Sequence, residues 1–415
     1  MKENIISNIS DPKELEKLYR QNPPDFRREF NLIYPGLNNN LLADFWNERL
    51  NYESSTEIPG SSVRELTFVI IASLIAVIIA KIPEIFSVDE TFFYMRNTGL
   101  IFLPVLAFYF AWKNSLSKRK ILMASAAVLV SAVYINLLPV NGSGDTLKLS
   151  CIHLPLFLWT VLGFAFAGDR LNDHRKRLDF LRYNGDLIVI SGIMMIAGMA
   201  LTAITQGLFT LIGLKIFEFY RQYIIIPGLA ALPIIGTYII GKVPHLVSRV
   251  SPLIARIFSP LVLITLIAYL TAIIITGKDP YNDREFLLIF NVLLIAVMAI
   301  IVFSVAEISR SGRNRAEILI LFFLSVVTVI VNCIALSAII FRISEWGITP
   351  NRLAVLGGNV LILTNLILVI YKLFRTLFNK SELEEVEMVI SKFLTVYCIW
   401  TVIVVFIFPP LFNFR

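Results

Sequence analysis

Residues 318–341 read ILILFFLSVVTVIVNCIALSAIIF, a run with no charged side chain that lies between Glu317 and Arg342. A helix needs about 20 mostly apolar residues to cross a bilayer, so this run is long enough to span a membrane. Similar apolar runs, separated by short polar loops, recur from Leu66 almost to the C-terminus. The pattern predicts an all-α, polytopic integral membrane helix bundle of about eleven transmembrane helices. The predicted spans cover residues 66–86, 97–112, 121–140, 149–168, 186–214, 222–241, 260–276, 286–307, 318–341, 353–374 and 391–412.

The composition of the chain excludes an ordinary soluble domain. Hydrophobic residues make up 57% of the chain and charged residues 16%, whereas soluble domains are about half apolar and about a quarter charged. The net charge of +7 does not predict nucleic-acid binding, because the basic residues are spread over loops that flank the spans. The expected partner is therefore the lipid bilayer.

Every second loop is rich in lysine and arginine, and the loops between them carry only one or two basic residues each. Because basic loops stay in the cytoplasm, the alternation predicts a protein of the plasma (inner) membrane with a cytoplasmic N-terminus and an extracytoplasmic C-terminus. The basic loops contain Lys113, Lys118, Arg119 and Lys120; Arg170, Arg175, Lys176, Arg177 and Arg182; Lys242, Arg249 and Arg256; Arg310, Arg313 and Arg315; and Lys372, Arg375, Lys380 and Lys392.

Residues 1–62 are more polar than the rest and predict a small cytoplasmic helical module ahead of the transmembrane bundle, residues 63–415. Asp11 followed by Pro12 is typical of an N-cap and the first helical position. A unit of this size is expected to have little core of its own and to rest on the cytoplasmic face of the bundle. Three helices are predicted from apolar faces at Leu15, Leu18 and Tyr19; at Phe26, Phe30 and Ile33; and at Leu41, Leu42, Phe45, Trp46 and Leu50.

Polar residues and helix breakers inside the spans indicate where a solute could bind. Thr202, Thr205, Gln206 and Gly207 are predicted to interrupt the middle of the fifth span. The sixth span contains the helix breakers Pro227, Gly228 and Pro233. In transporters, such interruptions mark unwound helices that bind a substrate or an ion. In other membrane proteins they only kink the helix or allow close packing, so both interpretations stay open.

The ninth and tenth spans each contribute a polar candidate, Asn332 and Asn359. Polar groups in a membrane turn toward protein or water rather than lipid. These two side chains are therefore expected to form hydrogen bonds between helices or, alternatively, to line a solute pathway.

The outward loops between spans seven and eight and between spans nine and ten carry charges of both signs. These loops could form an ion-paired clamp, which is the interpretation we favour, or they could bind an anionic lipid or a small anionic ligand through Arg342 and Arg352. Thr349 before Pro350 predicts the N-cap of the tenth span. The candidate residues of these loops are Asp279, Asp283, Arg284, Arg342, Glu345, Thr349 and Arg352.

The three histidines and three cysteines do not follow the spacing of a metal site or of a known catalytic motif. The sequence therefore indicates no enzymatic activity, no cofactor and no metal.

Several runs resemble those of a bacterial polytopic membrane family that is catalogued as a domain of unknown function, number four-one-five-three in its series. The resemblance covers most of the chain and implies the same membrane fold, without an assigned activity. The runs are Arg177–Asp186 (RLDFLRYNGD), Gly277–Phe286 (GKDPYNDREF), Trp346–Arg352 (WGITPNR), Leu18–Pro23 (LYRQNP) and Phe45–Leu50 (FWNERL).

Two functional hypotheses follow from these patterns. The first is a permease-like transporter with a site among the fifth, sixth, ninth and tenth spans, favoured by the number of spans and by the broken fifth and sixth helices. The second is a non-transporting envelope protein that acts as a sensor or scaffold or binds lipid, favoured by the charged outward loops and the N-terminal module. A water-filled cavity that reaches the midplane between the fifth, sixth, ninth and tenth spans would favour the first hypothesis, and a solid packed core there would favour the second.

Overall fold

The structure is a computed structural model that describes residues 2–37, 41–51, 61–139, 144–168, 173–211, 215–242, 257–271, 275, 281, 284–311, 315–378 and 383–414. All the regular elements in these residues are helices, and none of these residues lies in a β-strand. The predicted all-α class is thereby confirmed. The chain divides into two compact units, Met1–Phe68 and Val69–Arg415.

The N-terminal unit contains the three predicted helices and one more that the sequence analysis did not anticipate. The Asp11 carboxylate accepts hydrogen bonds from the backbone N–H groups of Lys13 and Glu14, at 2.9 and 3.3 Å, which confirms the predicted cap. The elements are α1 (Lys2–Ser7), α2 (Pro12–Gln21), α3 (Pro23–Ile33), a 3₁₀ turn (Tyr34–Gly36) and α4 (Leu41–Asn51).

This small unit has a hydrophobic core of its own, so the expectation of little core is wrong. Phe26 and Phe30 are completely buried, and Trp46 is 2% exposed. The ring centroids of Phe26 and Trp46 lie 5.1 Å apart. The unpredicted helix α1 covers this aromatic cluster with Ile5, which is also fully buried.

The second unit contains the long apolar helices. These elements are α5 (Ser61–Ala80, which begins in the first unit), α6 (Ile82–Phe86), α7 (Glu90–Lys113), α8 (Lys118–Leu137), α9 (Asp145–Ala167), α10 (His174–Leu211), α11 (Phe217–Tyr220), α12 (Ile226–Lys242), α13 (Ile257–Thr271), α14 (Arg284–Ser311), α15 (Arg315–Trp346), α16 (Pro350–Leu377), α17 (Leu383–Val402) and α18 (Phe408–Leu411). Two π-helical segments, Arg221–Ile225 and Ile403–Ile407, join α11 to α12 and α17 to α18.

Within the described residues, ten helical segments are long and apolar enough to cross a membrane. They coincide with ten of the eleven predicted spans. The remaining span, residues 260–276, coincides with α13, which is a shorter apolar helix and is flanked by residues outside the described ranges. The described part of span five is continuous helix as far as Leu211, so Thr202 and Thr205 do not interrupt it. Each of them donates a hydrogen bond to the carbonyl group one turn earlier.

Large apolar side chains cover the outside of these helices. On α8, Leu122, Met123, Leu129 and Val130 are each between 56% and 71% exposed. A surface of this kind is stable against lipid tails and costly against water. The chain is therefore an integral membrane protein in contact with the lipid bilayer.

Basic residues near the starts of α8 and α10 bond to the end of α9 and to α17, at one end of the second unit. At this end, Lys120 donates a hydrogen bond to the Gly168 carbonyl at 3.1 Å, and Arg177 donates one to the Ser391 carbonyl at 3.3 Å. We call it the basic end; it contains the last residues of α7, α9 and α12 and the first residues of α10 and α17. The other end, where α7 begins, is called the opposite end.

Helices α14 to α17 pack around an apolar core in which Leu324, Leu366 and Leu373 are completely buried. One close approach in this region requires glycine. A Cβ atom at Gly357 in α16 would overlap the indole ring of Trp400, whereas a Cβ atom at Gly358 would lie 4.0 Å from the same ring. The two adjacent glycines therefore provide a matched pair of positions for testing this contact.

We expect Gly357→Ala to lower the stability of the purified protein in detergent by about 1–3 kcal/mol, because the added methyl group must displace a packed indole ring. Gly358→Ala should be neutral or slightly stabilising, since alanine favours a helix over glycine. Thermal unfolding of the two variants checks this expectation. Equal melting temperatures would contradict the packing between α16 and α17.

The Glu16 carboxylate links two helices of the N-terminal unit. It accepts a hydrogen bond from Arg20 at 2.8 Å and pairs with Arg49 of α4 at 2.7 Å. These hydrogen bonds, first from Arg20 and then from Arg49, hold the pKa of Glu16 below its ordinary value of 4.5. Because the pKa is lower in the folded state, the stabilisation is present above the ordinary pKa and is lost as pH falls through the folded-state pKa.

We therefore expect hydrogen exchange of α2 and α4 in the full-length protein, corrected for the intrinsic rate, to accelerate below about pH 4.5. Glu16→Gln should make that protection less dependent on pH in the same range. An unchanged pH dependence in Glu16→Gln would show that Glu16 does not link the two helices.

Candidate functional site

A cleft of about 390 Å³ lies near the basic end between α7, α9, α10 and α12. Helices α10 and α12 belong to the fifth and sixth predicted spans, and each contributes several residues to its wall. The lining residues are Tyr109, Phe110 and Lys113 of α7; Phe166 of α9; Asp179, Arg182, Tyr183 and Asp186 of α10; and Thr237, Ile240 and Gly241 of α12.

The cleft contains charges of both signs, and one of them is deeply buried. Asp186 is 6% exposed and lies in α10, about 18 Å along the helix axis from its first residue, His174. Lys113, at the last turn of α7, supplies a positive charge to the same cleft. Ionisable groups inside a membrane bundle are costly and mark functional sites by default.

Hydrogen bonds fix the polar side chains between α10 and α12. The hydroxyl oxygens of Tyr183 and Thr237 are 2.7 Å apart, and Thr237 donates its hydrogen to the Pro233 carbonyl at 2.8 Å. Tyr183 must therefore donate to Thr237. On the α7 side, Lys113 donates to the Tyr109 hydroxyl at 3.0 Å.

Aromatic rings form the apolar wall of the cleft. The rings of Phe110, Phe166 and Tyr183 pack against one another. The centroid of Phe110 lies 4.9 Å from that of Phe166 and 5.0 Å from that of Tyr183, and the centroids of Phe166 and Tyr183 lie 5.3 Å apart. Such a wall offers a hydrocarbon surface beside the charged groups of Lys113 and Asp186. The cleft can therefore contact both the charged and the apolar parts of one small molecule.

Arg182 connects the cleft to the rest of the bundle. Its guanidinium donates to the Ala306 carbonyl at 2.8 Å and pairs with Asp179 and Glu387, both at 3.2 Å. The Glu387 side chain is 7% exposed. Arg182 thus joins α10 to α14 and α17, and it neutralises a carboxylate that would be unstable alone in this environment.

A second polar cluster lies at the opposite end of the same helix pair, α7 and α11–α12. Arg221 pairs with Glu90 through two nitrogen–oxygen contacts of 3.1 and 3.3 Å and also pairs with Glu218. Gln222 donates to Glu90 at 3.0 Å, and Lys81 donates to the Gln222 carbonyl at 3.0 Å. We call these five residues the opposite-end network.

The polar candidates inside the spans bind neighbouring helices. Asn332 donates to the Asn359 carbonyl at 3.1 Å, and Asn359 donates to the Asn291 side chain at 2.8 Å. These bonds tie α15, α16 and α14 together, as expected for interhelical hydrogen bonds. Gln206 is half-buried in α10, about 30 Å along the helix from Asp186, so it lies away from the cleft.

The outward-loop candidates are only partly described. Asp279 and Asp283 lie outside the described residues, as does the side chain of Arg284. Thr349 accepts a hydrogen bond from the Arg352 N–H at 3.3 Å, which confirms the predicted cap of α16.

The arginines of these loops have backbone partners. Arg352 donates to the carbonyls of Trp346 and Gly347, at 2.8 and 2.7 Å, and Arg342 donates to the Tyr281 carbonyl at 2.9 Å. Both guanidinium groups lie over the Trp346 ring, at 5.5 and 5.7 Å from its centroid. Arg352 thus caps the end of α15 through carbonyl groups, and Glu345 makes no ion pair with the described residues.

The described residues contain no group of three or more histidine, cysteine, aspartate or glutamate side chains that could hold a metal ion. No protein-family model, curated protein or solved structure matches this chain.

The sequence analysis did not select the cleft residues, although a signal for them was present. Asp179, Arg182, Tyr183 and Asp186 follow one another at i, i+3, i+4 and i+7, which places them on one face of a helix. All four lie within the Arg177–Asp186 run. Their charge was assigned to a cytoplasmic loop because α10 was expected to begin near residue 186, whereas it begins at His174.

We expect Arg182→Met to lower the free energy of unfolding in detergent by about 3 kcal/mol, because it leaves the buried Glu387 carboxylate without its charged partner. The matched control is Arg175→Met, which removes an arginine from an exposed 4.0 Å pair with Glu384 and should cost less than about 1 kcal/mol. Thermal melts of both variants check the difference. Equal losses would contradict the structural role of Arg182.

Proposed function

We propose that this protein is a permease-like transporter and that the cleft is its solute-binding site. The observation that carries the proposal is the buried Asp186 carboxylate in a cleft between the second, fourth, fifth and sixth spans. Intramembrane carboxylates that face a cavity bind substrates or protons in transporters. The ninth and tenth spans, held by asparagine hydrogen bonds, serve as scaffold in this proposal.

The basic end is the cytoplasmic end in this proposal. The described basic residues Lys113, Lys120 and Arg177 lie there, and lysine-rich and arginine-rich loops are retained in the cytoplasm during insertion. The N-terminus is then cytoplasmic, the C-terminus extracytoplasmic, and the cleft faces the cytoplasm of a cell whose plasma membrane holds the protein.

The chemistry of the cleft favours a small zwitterionic solute with an apolar side chain. The Asp186 carboxylate suits an ammonium group, the Lys113 ammonium suits a carboxylate, and the rings of Phe110 and Phe166 suit hydrocarbon. A cleft of 390 Å³ is within the usual range of small-molecule sites, about 300–1,000 Å³. Amino acids have this combination of groups.

We further propose membership in the polytopic family of unknown function that the Arg177–Asp186 run resembles. This run supplies four residues of the cleft, so the resemblance and the site depend on the same segment. In this proposal the other members of the family bind a solute at the same place.

A second candidate function, binding of anionic lipid without transport, is favoured by the cluster of Arg342, Trp346 and Arg352. Trp346 is 51% exposed beside two guanidinium groups, which is typical of contact with the headgroup region. The backbone bonds of Arg352 reduce its capacity to bind a phosphate, so we favour the cleft as the functional site.

We expect phenylalanine to raise the melting temperature of the purified protein more than phenethylamine or 3-phenylpropionate, which each keep only one of its charges. A ligand present at about 100 times its dissociation constant stabilises the folded state by about 2.7 kcal/mol. Asp186→Asn should abolish this shift, because the ammonium group loses its counter-charge.

The control variant is Asp145→Asn, which changes a carboxylate at the start of α9 and should retain the shift. A panel of standard amino acids extends the test to other side chains. No stabilisation by any amino acid, or the same stabilisation in Asp186→Asn, would contradict the proposed function.

A further inference from the structure

We propose that the opposite-end network is a gate, which is closed in this structure and opens when the cleft closes. This inference rests on the proposed function and assigns a role to Glu90 and Arg221. A transporter that exposes its site at one face must seal the other face, and the two faces must open in alternation. The network lies where that seal is required.

The same two helices carry the cleft and the network at their two ends. At the basic end, Lys113 of α7 and Gly241 of α12 both line the cleft. At the opposite end, Glu90 at the start of α7 pairs with Arg221, which follows α11. Helix α7 and the span formed by α11 and α12 therefore line an opening at the basic end and are joined by an ion pair at the opposite end.

The network is built for reversible closure. Its charged side chains are partly exposed, with Arg221 at 30% and Glu90 at 44%. Ion pairs that remain in contact with water are individually weak, so they can break without a large penalty. Several of them act together here, since Glu90 accepts from both Arg221 and Gln222, and Lys81 also contacts Gln222.

The segment that carries Arg221 can change its geometry. Arg221–Ile225 is a π-helix, a form that is rare and frequently found at functional sites. Pro233, within α12, removes one backbone hydrogen bond from the helix and favours a bend. Arg221 and Gln222 of the network belong to the π-helix, and Pro233 lies between them and the cleft-lining Thr237. A bend at Pro233 therefore moves one end of the span relative to the other.

Ala230 lies between the network and the cleft, and it is therefore the position chosen for measuring access to that region. It is 5% exposed and lies about 13 Å along the helix from Arg221 and about 10 Å from Thr237. Opening of the network should expose it to reagents from the opposite face. Ile240, in the cleft, reports on access from the basic face.

The experiment measures labelling of single cysteines at these two positions by a membrane-impermeant maleimide added to either face. Cys151, Cys333 and Cys398 are first replaced by serine. We expect Glu90→Gln, and independently Arg221→Gln, to accelerate labelling of Ala230→Cys from the opposite face by about tenfold, equivalent to about 1.4 kcal/mol. The same changes should slow labelling of Ile240→Cys from the basic face.

The control is Arg175→Gln, which breaks the exposed pair with Glu384 at the basic end and should alter neither rate. Size-exclusion chromatography confirms that each variant is folded. Faster labelling of Ala230→Cys with unchanged labelling of Ile240→Cys would identify the network as a static tie and overturn the gate. Unchanged labelling of both positions would overturn it as well, and the cleft would stand.

A third result would overturn the proposed function as well as the gate. If Ile240→Cys in the otherwise unmodified protein does not react from the basic face, the cleft is inaccessible there. That result overturns the proposed binding site and the gate together.

Discussion

The structure depends on one constraint: a charge inside a lipid-embedded bundle must face another charge, a hydrogen-bonding group or a water-accessible space. Helix α10 meets this constraint over a single face. Arg182 turns toward α14 and α17, where it pairs with the buried Glu387. Asp179 and Asp186 of the same face line the cleft. The position of the cleft is therefore set by the charges of α10.

Much of the fold was predictable because transmembrane helices need long apolar runs and loops alternate in charge. Ten predicted spans coincide with long apolar helices, and the caps at Asp11 and Thr349 follow from local backbone chemistry. Helix α1 was missed because its six residues carry only a short apolar signal. The core of the N-terminal unit was missed for the same reason, since Ile5 completes it.

The candidate site was harder to predict, because it depends on which helix faces meet. Asn332 and Asn359 were correctly expected to bond neighbouring helices. Arg352, one of the residues expected in the ion-paired clamp, instead bonds to backbone carbonyls, and carbonyl groups have no sequence signature. Asp279 and Asp283, the expected carboxylates, lie outside the described residues. The cleft forms because α7, α9 and α12 converge on the charged face of α10. No local sequence pattern indicates that convergence.

The two polar regions of α7 and α12 have complementary roles in this account. The cleft offers a buried carboxylate, an ammonium group and aromatic rings to a solute, while the opposite-end network joins the same helices through partly exposed ion pairs. A rigid scaffold of α14 to α17 stands beside them, with close contacts such as that of Gly357 with Trp400. Motion is then expected in α12 rather than in the scaffold.

We propose that the cleft is a solute site on a transport route. The most direct test is exchange of radiolabelled phenylalanine across proteoliposomes that contain the purified protein. The account predicts exchange by the unmodified protein and its loss in Asp186→Asn, with the melting temperature of the ligand-free protein little changed. Exchange that persists in Asp186→Asn, or binding of phenylalanine without any exchange, would contradict it.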